Sequence, residues 1–173
     1  MSEQRREVEI KFRAPDLDEI RRRLESIGAE YIGRDHEENL IFDDAAGRFR
    51  ESNQLLRLRR DHRVTLTFKR SVPDPRFKVR TEIEIEVDSF EKTQALLEAA
   101  GFQVVDHYEK DRETWHCDGV KALLDELSFG QFVELEGEPP DLERIAALLG
   151  FDLSEGITKD YLTLRRESQA VGG

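Results

Sequence analysis

The stretch EVEIKF, Glu7-Val8-Glu9-Ile10-Lys11-Phe12, alternates charged and apolar residues without a break. Successive side chains of a strand point to opposite faces, so Val8, Ile10 and Phe12 share one face and Glu7, Glu9 and Lys11 the other. The same period returns along the chain. Leu56 and Leu58 oppose Arg57 and Arg59; Val64, Leu66 and Phe68 oppose Thr65, Thr67 and Lys69. Ile83, Ile85 and Val87 oppose Glu82, Glu84 and Glu86, and Val133 and Leu135 oppose Glu134 and Glu136. Less regular strands are expected around 39–43, 104–117 and 122–127.

Amphipathic helices interrupt the strands. One is expected from Asp16 to Ile27, with Leu17, Ile20, Leu24 and Ile27 on one face, opened by Pro15-Asp16 and stopped by Gly28. A second runs from Ser89 to Ala100 before Gly101, and a third from Asp141 to Leu149 after two prolines and before Gly150. Each is too short to stand alone and must lay its apolar stripe on a sheet. Glu-x-Glu strands starting at Glu7, Glu82 and Glu134 are each followed by such a helix, a weak internal repeat. The 173 residues read as a single domain over 1–166, with a disordered tail from 167.

Composition narrows the function. Charged residues make up 38% of the chain and the net charge is −11. That balance argues against nucleic acid and anionic membrane as partners, since both call for a dominant basic surface. No apolar run reaches the roughly 18 to 20 residues of a membrane span, and the N-terminus carries no apolar leader. A single cysteine, Cys117, excludes an internal disulfide framework and fits a reducing cytoplasm. With four scattered histidines, any metal is expected on oxygen ligands, hence Mg²⁺, Mn²⁺ or Ca²⁺.

The charged strand faces could meet water, as half-exposed antiparallel strands do. Their signs, however, segregate by strand: acids at 7/9, 82/84/86 and 134/136, bases at 57/59, 69 and 110/112. Glutamates at i and i+2 on one face lie within about 7 Å and repel. If the sheet closes into a barrel with helices outside, these faces line its interior and need counter-charge. At an effective dielectric of about 20, a unit pair at 4 Å is worth roughly 4 kcal/mol. A polyanion on the basic walls, bridged to the acidic walls by divalent cations, meets both needs.

The order E-x-E-x-K (Glu7, Glu9, Lys11), R-x-R (Arg57, Arg59), Lys69, E-x-E (Glu82, Glu84), K-x-R (Lys110, Arg112), Asp125 and FGQFVELE (Glu134, Glu136) resembles the CYTH superfamily of triphosphate tunnel metalloenzymes. The resemblance spans about Arg6 to Leu164. It implies an α+β fold: a closed eight-stranded antiparallel β-barrel with helices packed outside and a hydrophilic tunnel for a triphosphate and metal. On that resemblance Glu7, Glu9, Glu134 and Glu136 hold Mg²⁺ or Mn²⁺, with Glu82 and Glu84 either taking a second ion or balancing the basic walls. Lys11, Arg57, Arg59, Lys69, Lys110 and Arg112 bind phosphate oxygens, and Lys11, Arg59 and Asp125 are the catalytic candidates, Asp125 orienting a base or a water. Lys159 and Tyr161 in TKDYL are candidates to cap the tunnel mouth, Lys159 as a further phosphate ligand. The four histidines read as surface residues, and Trp115 as a packing residue.

Three activities compete. A triphosphate phosphohydrolase, acting on inorganic, nucleoside or thiamine triphosphate, needs only the charged lining. A class IV adenylate cyclase needs a ribose pose as well; RFKVRTEIEIEV resembles the cyclase-like bacterial branch, while the proline-containing loop after Lys69 departs from it. A non-catalytic polyphosphate or nucleotide sensor ranks third. The expected partner is a small-molecule triphosphate, and a homodimer is left open.

Overall fold

The computed structural model describes residues 5–171. Its elements run β1 (Arg5–Arg13), α1 (Leu17–Ser26), β2 (Glu30–Asp44), α2 (Arg48–Glu51), β3 (Gln54–Arg60), β4 (Val64–Val72), β5 (Lys78–Glu86), α3 (Phe90–Ala99), β6 (Phe102–Cys117), β7 (Val120–Leu127), β8 (Gly130–Glu136), α4 (Pro139–Leu148), a 3₁₀ turn (Leu153–Glu155) and α5 (Tyr161–Val171). The strands close into an antiparallel barrel in the order β1-β5-β4-β3-β2-β6-β7-β8. The three Glu-x-Glu strands, far apart in sequence, are therefore neighbours: β5, β1, β8. Each is followed in the chain by a helix, α3, α1 and α4 in turn.

Local signals set the helix bounds. Asp16 caps α1 by accepting from the N–H groups of Asp18 and Glu19, and Ser89 caps α3 through Lys92 N–H. The start of α4 differs from expectation: the helix begins at Pro139, with proline where a missing N–H costs nothing, and Glu138 as its cap. The expected tail is corrected as well. Asp160 Oδ1 accepts from Thr163 N–H at 2.8 Å, and α5 continues as helix to Val171; 172–173 lie outside the described residues.

Contacts divide the described residues into two units, one of 5–7, 35–73 and 79–110, the other of 8–34, 74–78 and 111–171. In the first, Leu40, Phe42, Leu56 and Leu58 pack with Phe90 and Leu97 of α3. This places the apolar faces of β2 and β3 under a helix and turns Arg57, Arg59, Glu37 and Asn39 to the opposite, inner face. In the second, Phe132, Tyr161 and Leu164 cluster, Phe12 stacks on Phe151 at 4.5 Å, and α4 buries Leu142, Ile145 and Ala146. The loop after β4 belongs to this unit: Asp74 Oδ1 accepts from the N–H groups of Arg76 and Phe77, and Phe77 is buried.

Leu58→Ala should lower stability by about 2–5 kcal/mol, the cost of a core cavity, because Leu58 is 0% exposed. Leu96→Ala, at a side chain 66% exposed, should stay within about 0.5 kcal/mol in the same urea titrations.

Candidate active site

The inner faces carry charge at a density that only mutual pairing tolerates. Glu9, Lys11, Glu37, Arg57, Lys69, Lys110, Asp125 and Glu134 are all buried. In the second unit, Lys11 (1% exposed) donates to Glu134 Oε1 at 2.9 Å and to the carbonyl of Lys159 at 3.3 Å, and lies 3.8 Å over the Tyr161 ring. Burial pushes its ammonium towards neutrality, yet Glu134 and then Glu9 outweigh that and raise its pKa. Arg112 forks onto Asp125, with Nε donating to Oδ1 at 2.6 Å, and also reaches Glu134. Tyr161 donates its hydroxyl to Asp125 Oδ2 at 2.7 Å. Burial first, and then the Asp125 charge, raise that phenol well above its usual range.

In the first unit, Lys69 pairs with Glu7 at 3.0 Å and with Glu82. Burial, then a hydrogen bond shared with Glu7, push the Glu82 carboxyl up to about 7, with Lys69 pulling the other way. Glu37 stands between two cations, 3.5 Å from Lys110 and 3.8 Å from Arg59, while Arg59 also meets Asp61 at 3.0 Å. Burial raises Glu84, but the Thr67 hydroxyl, donating at 2.9 Å, and then Arg59 and Arg57 bring it below its ordinary value.

Carboxylate oxygens of Glu7, Glu9 and Glu136, on the adjoining strands β1 and β8, lie within 4.8 Å of one another. Glu9 stands directly across from Glu136 in the register. Three hard oxygen donors so close fit Mg²⁺ or Mn²⁺. Lys78 contacts Glu9 and Lys121 reaches Glu136 at 2.8 Å, so the cluster is partly neutralised by the chain itself.

Of the expected metal ligands, then, the structure gathers Glu7, Glu9 and Glu136. Glu134 is turned to Lys11 and Arg112, and Glu84 to Thr67. Asp125 is occupied by Arg112 and Tyr161, which makes it a positioning group for that arginine. Lys159 is not brought to the inner set: its ammonium is on the surface, 2.6 Å from Glu167, and only its carbonyl reaches Lys11. Two buried or half-buried contributors escaped the sequence reading, Glu37 and Lys121, and Lys78, within RFKVRTEIEIEV, was given no site role there. Lys78 shares a strand parity with Glu82 and Glu84, a signal that was there to be used. The four histidines are exposed, and Trp115 packs edge-on against Tyr31 at 5.0 Å. No helix of the described residues is long and apolar enough to cross a membrane.

A CYTH domain family model matches residues 5–150. A Methanocaldococcus jannaschii protein named as a candidate adenylate cyclase is 30% identical over 171 residues, covering 92% of this chain and 98% of its own. The solved PH1819 protein of Pyrococcus horikoshii OT3 is 30% identical with a TM-score of 0.80, over 93% of this chain and 98% of that one. A Hippeastrum protein named as a candidate adenylyl cyclase, and described as having a dominant triphosphatase activity, shares the fold at 21% identity and a TM-score of 0.69, over 93% and 95% of the two chains.

Tyr161→Phe should cost about 1–3 kcal/mol in urea titrations, since Asp125, 0% exposed, loses a donor. Arg112→Leu should cost more, about 3–5 kcal/mol, because it strands a buried carboxylate. Equal, negligible losses would mean that Asp125 is not held by these two partners.

Proposed function

The chain belongs to the CYTH domain family, and from that premise we propose that it is a divalent-metal-dependent phosphohydrolase of a triphosphate substrate. One observation supports this most: Lys11, Lys69, Lys110 and Arg57, cations on four different strands, are at most 8% exposed, and Lys11 shares β1 with Glu7 and Glu9 of the acidic cluster. A surface patch would leave such cations in water. Burial makes each of them a strong, fixed partner for a charge-dense anion.

The roles follow from the contacts. Arg57, Arg59, Lys69 and Lys110 in one unit, and Lys11 and Arg112 in the other, bind phosphate oxygens in exchange for part of their hold on glutamate. Asp125 and Tyr161 fix the Arg112 guanidinium so that its fork is presented in one orientation. Glu7, Glu9 and Glu136 would hold the cation, Mg²⁺ or Mn²⁺. A divalent cation bound there polarises phosphate oxygens and neutralises charge as the phosphoryl group transfers. Lys11, kept cationic by Glu134 and Glu9, supplies a positive charge that does not titrate near neutral pH.

Cyclisation of ATP is the second reading. It is favoured by the name of the archaeal relative and by Lys78, half-buried against Glu9 at the head of the central acidic strand. Hydrolysis ranks first because it requires the charged lining alone. The same reading takes a small-molecule triphosphate as partner, no nucleic acid or membrane, and the cytoplasm as compartment.

A panel of inorganic triphosphate, ATP and thiamine triphosphate with Mg²⁺ or Mn²⁺, scoring phosphate, pyrophosphate and cyclic AMP separately, tests the proposal. Phosphate release that stops with chelator is expected; cyclic AMP with stoichiometric pyrophosphate would reverse the ranking. Glu136→Gln should cut the rate about 10² to 10³-fold, whereas Glu25→Gln, at an exposed position on α1, should leave it unchanged. Inorganic triphosphate should also inhibit at least tenfold more strongly than pyrophosphate, which leaves some of the buried cations unmatched.

A further inference from the structure

Next to the buried cations of the first unit stand two neutral polar side chains that are themselves buried. Asn39 on β2, Arg59 on β3 and Thr65 on β4 stand in one row across the sheet, paired Asn39 with Arg59 and Arg59 with Thr65. Asn39 is 0% exposed and Thr65 1%. Their strand neighbours Leu40, Leu58 and Leu66 pack into the cluster under α3, so the row faces inward. Among the described residues, neither Nδ2 nor Oδ1 of Asn39 has a hydrogen-bond partner, and neither does the Thr65 hydroxyl.

Buried polar groups left without partners are rare and costly, at about 1–3 kcal/mol each. Exchanging the amide oxygen and nitrogen of Asn39 changes nothing, since both ends are unpartnered. The group that completes this row must therefore offer a donor and an acceptor together. A fully ionised phosphate offers acceptors only and would satisfy Nδ2–H and the Thr65 hydroxyl while leaving Oδ1 orphaned. A nucleoside carries both, in its ribose hydroxyls and in its base, where a carboxamide reads the amino and ring-nitrogen edge of adenine in two hydrogen bonds.

We infer that Asn39 and Thr65 form a subsite for the uncharged, non-phosphate part of the substrate, which makes the substrate class a nucleoside triphosphate and not inorganic triphosphate. This rests on the triphosphate-binding reading above. Arg59 belongs to both sites: it holds phosphate on its own account and separates the two neutral side chains.

The test is calorimetric titration of the full chain, with Mg²⁺, by β,γ-imido-ATP, by the same analogue lacking both ribose hydroxyls, and by imidotriphosphate. The intact chain should bind imido-ATP at least tenfold more tightly than imidotriphosphate. Asn39→Leu, which removes both orphaned atoms at similar volume, should erase that preference while changing imidotriphosphate affinity by less than about twofold. Thr65→Val should act in the same direction. The dideoxy analogue then separates recognition of the sugar from that of the base: loss of the preference assigns Asn39 to the hydroxyls, retention assigns it to the base, and either supports the subsite. Equal affinity for imido-ATP and imidotriphosphate in the intact chain overturns the subsite but leaves the triphosphate site standing. A parallel loss of both ligands in Asn39→Leu with an unchanged melting temperature also overturns it, since Asn39 would then serve phosphate. Failure of both analogues to bind the intact chain overturns the triphosphate reading, and the subsite with it.

Discussion

A charge taken out of water must be matched inside the protein, and this requirement governs the whole inner surface. Moving a carboxylate or ammonium into a protein interior costs several kcal/mol even after relaxation. Here the cost is met by cross-strand pairing: Lys11 with Glu134, Lys69 with Glu7, Lys110 and Arg59 with Glu37, Arg112 with Asp125. Alternation of charged and apolar residues makes that possible. It leaves one face of each strand free for the leucine and phenylalanine cluster beneath α3, or for the residues that cover β8. The apolar side holds the fold; the polar side is held in turn by its own ion pairs.

Such pairing changes what binding a polyanion means. The charge pattern in the sequence suggests cations waiting for a ligand and repelling one another until it arrives. In the structure every one of these lysines already has a carboxylate within reach. On the proposed reading a triphosphate would enter by exchange: it would take cations away from glutamates, and the released glutamates would need a cation in return. That is a physical reason to couple the two ligands. A divalent ion on Glu7, Glu9 and Glu136 would keep these three acids neutralised when Lys69 turns from Glu7 towards phosphate. Burial, and then the hydrogen bond with Glu7, raise the Glu82 carboxyl to about 7 against the pull of Lys69, a sign of how crowded with acids this side is.

The strands at EVEIKF, LLRLRR, VTLTFK, TEIEIEV and FVELEG were legible because period-two patterning is local and survives any tertiary context. Helices α1 and α3 were legible from their caps, whereas the four-residue α2, which has no side-chain cap, was not. Side-chain partners were not, since they depend on register and closure, which no local pattern encodes. Glu37 was lost in the acidic run HEEN, where the alternation that would separate it from Glu38 is masked by charge on both faces. Glu38 in fact turns outward to Arg60. Lys159 was misplaced because it stands just ahead of α5. There the backbone bridge between Lys11 and Ile157 carries its carbonyl inward and leaves its side chain outside. The last helix was missed because its packing signal is only Tyr161 and Leu164, two residues at i and i+3.

The place of Tyr161 joins these threads. It arrives from the C-terminal helix, outside the strands that carry every other inner charge, and its ring and hydroxyl perform separate tasks. The ring packs against Phe132 and lies under the Lys11 ammonium, while the hydroxyl donates to Asp125. Asp125 is 0% exposed, and of the donors that reach it Arg112 comes from β6 and Tyr161 from α5. Docking of the last helix is thereby tied to the orientation of Arg112. A chain ending after β8 and α4 would keep all the strands and still lack the donor that fixes this arginine. The helix contributes to the site's chemistry through Asp125, although none of its own residues belongs to the acidic cluster or to the row of cations.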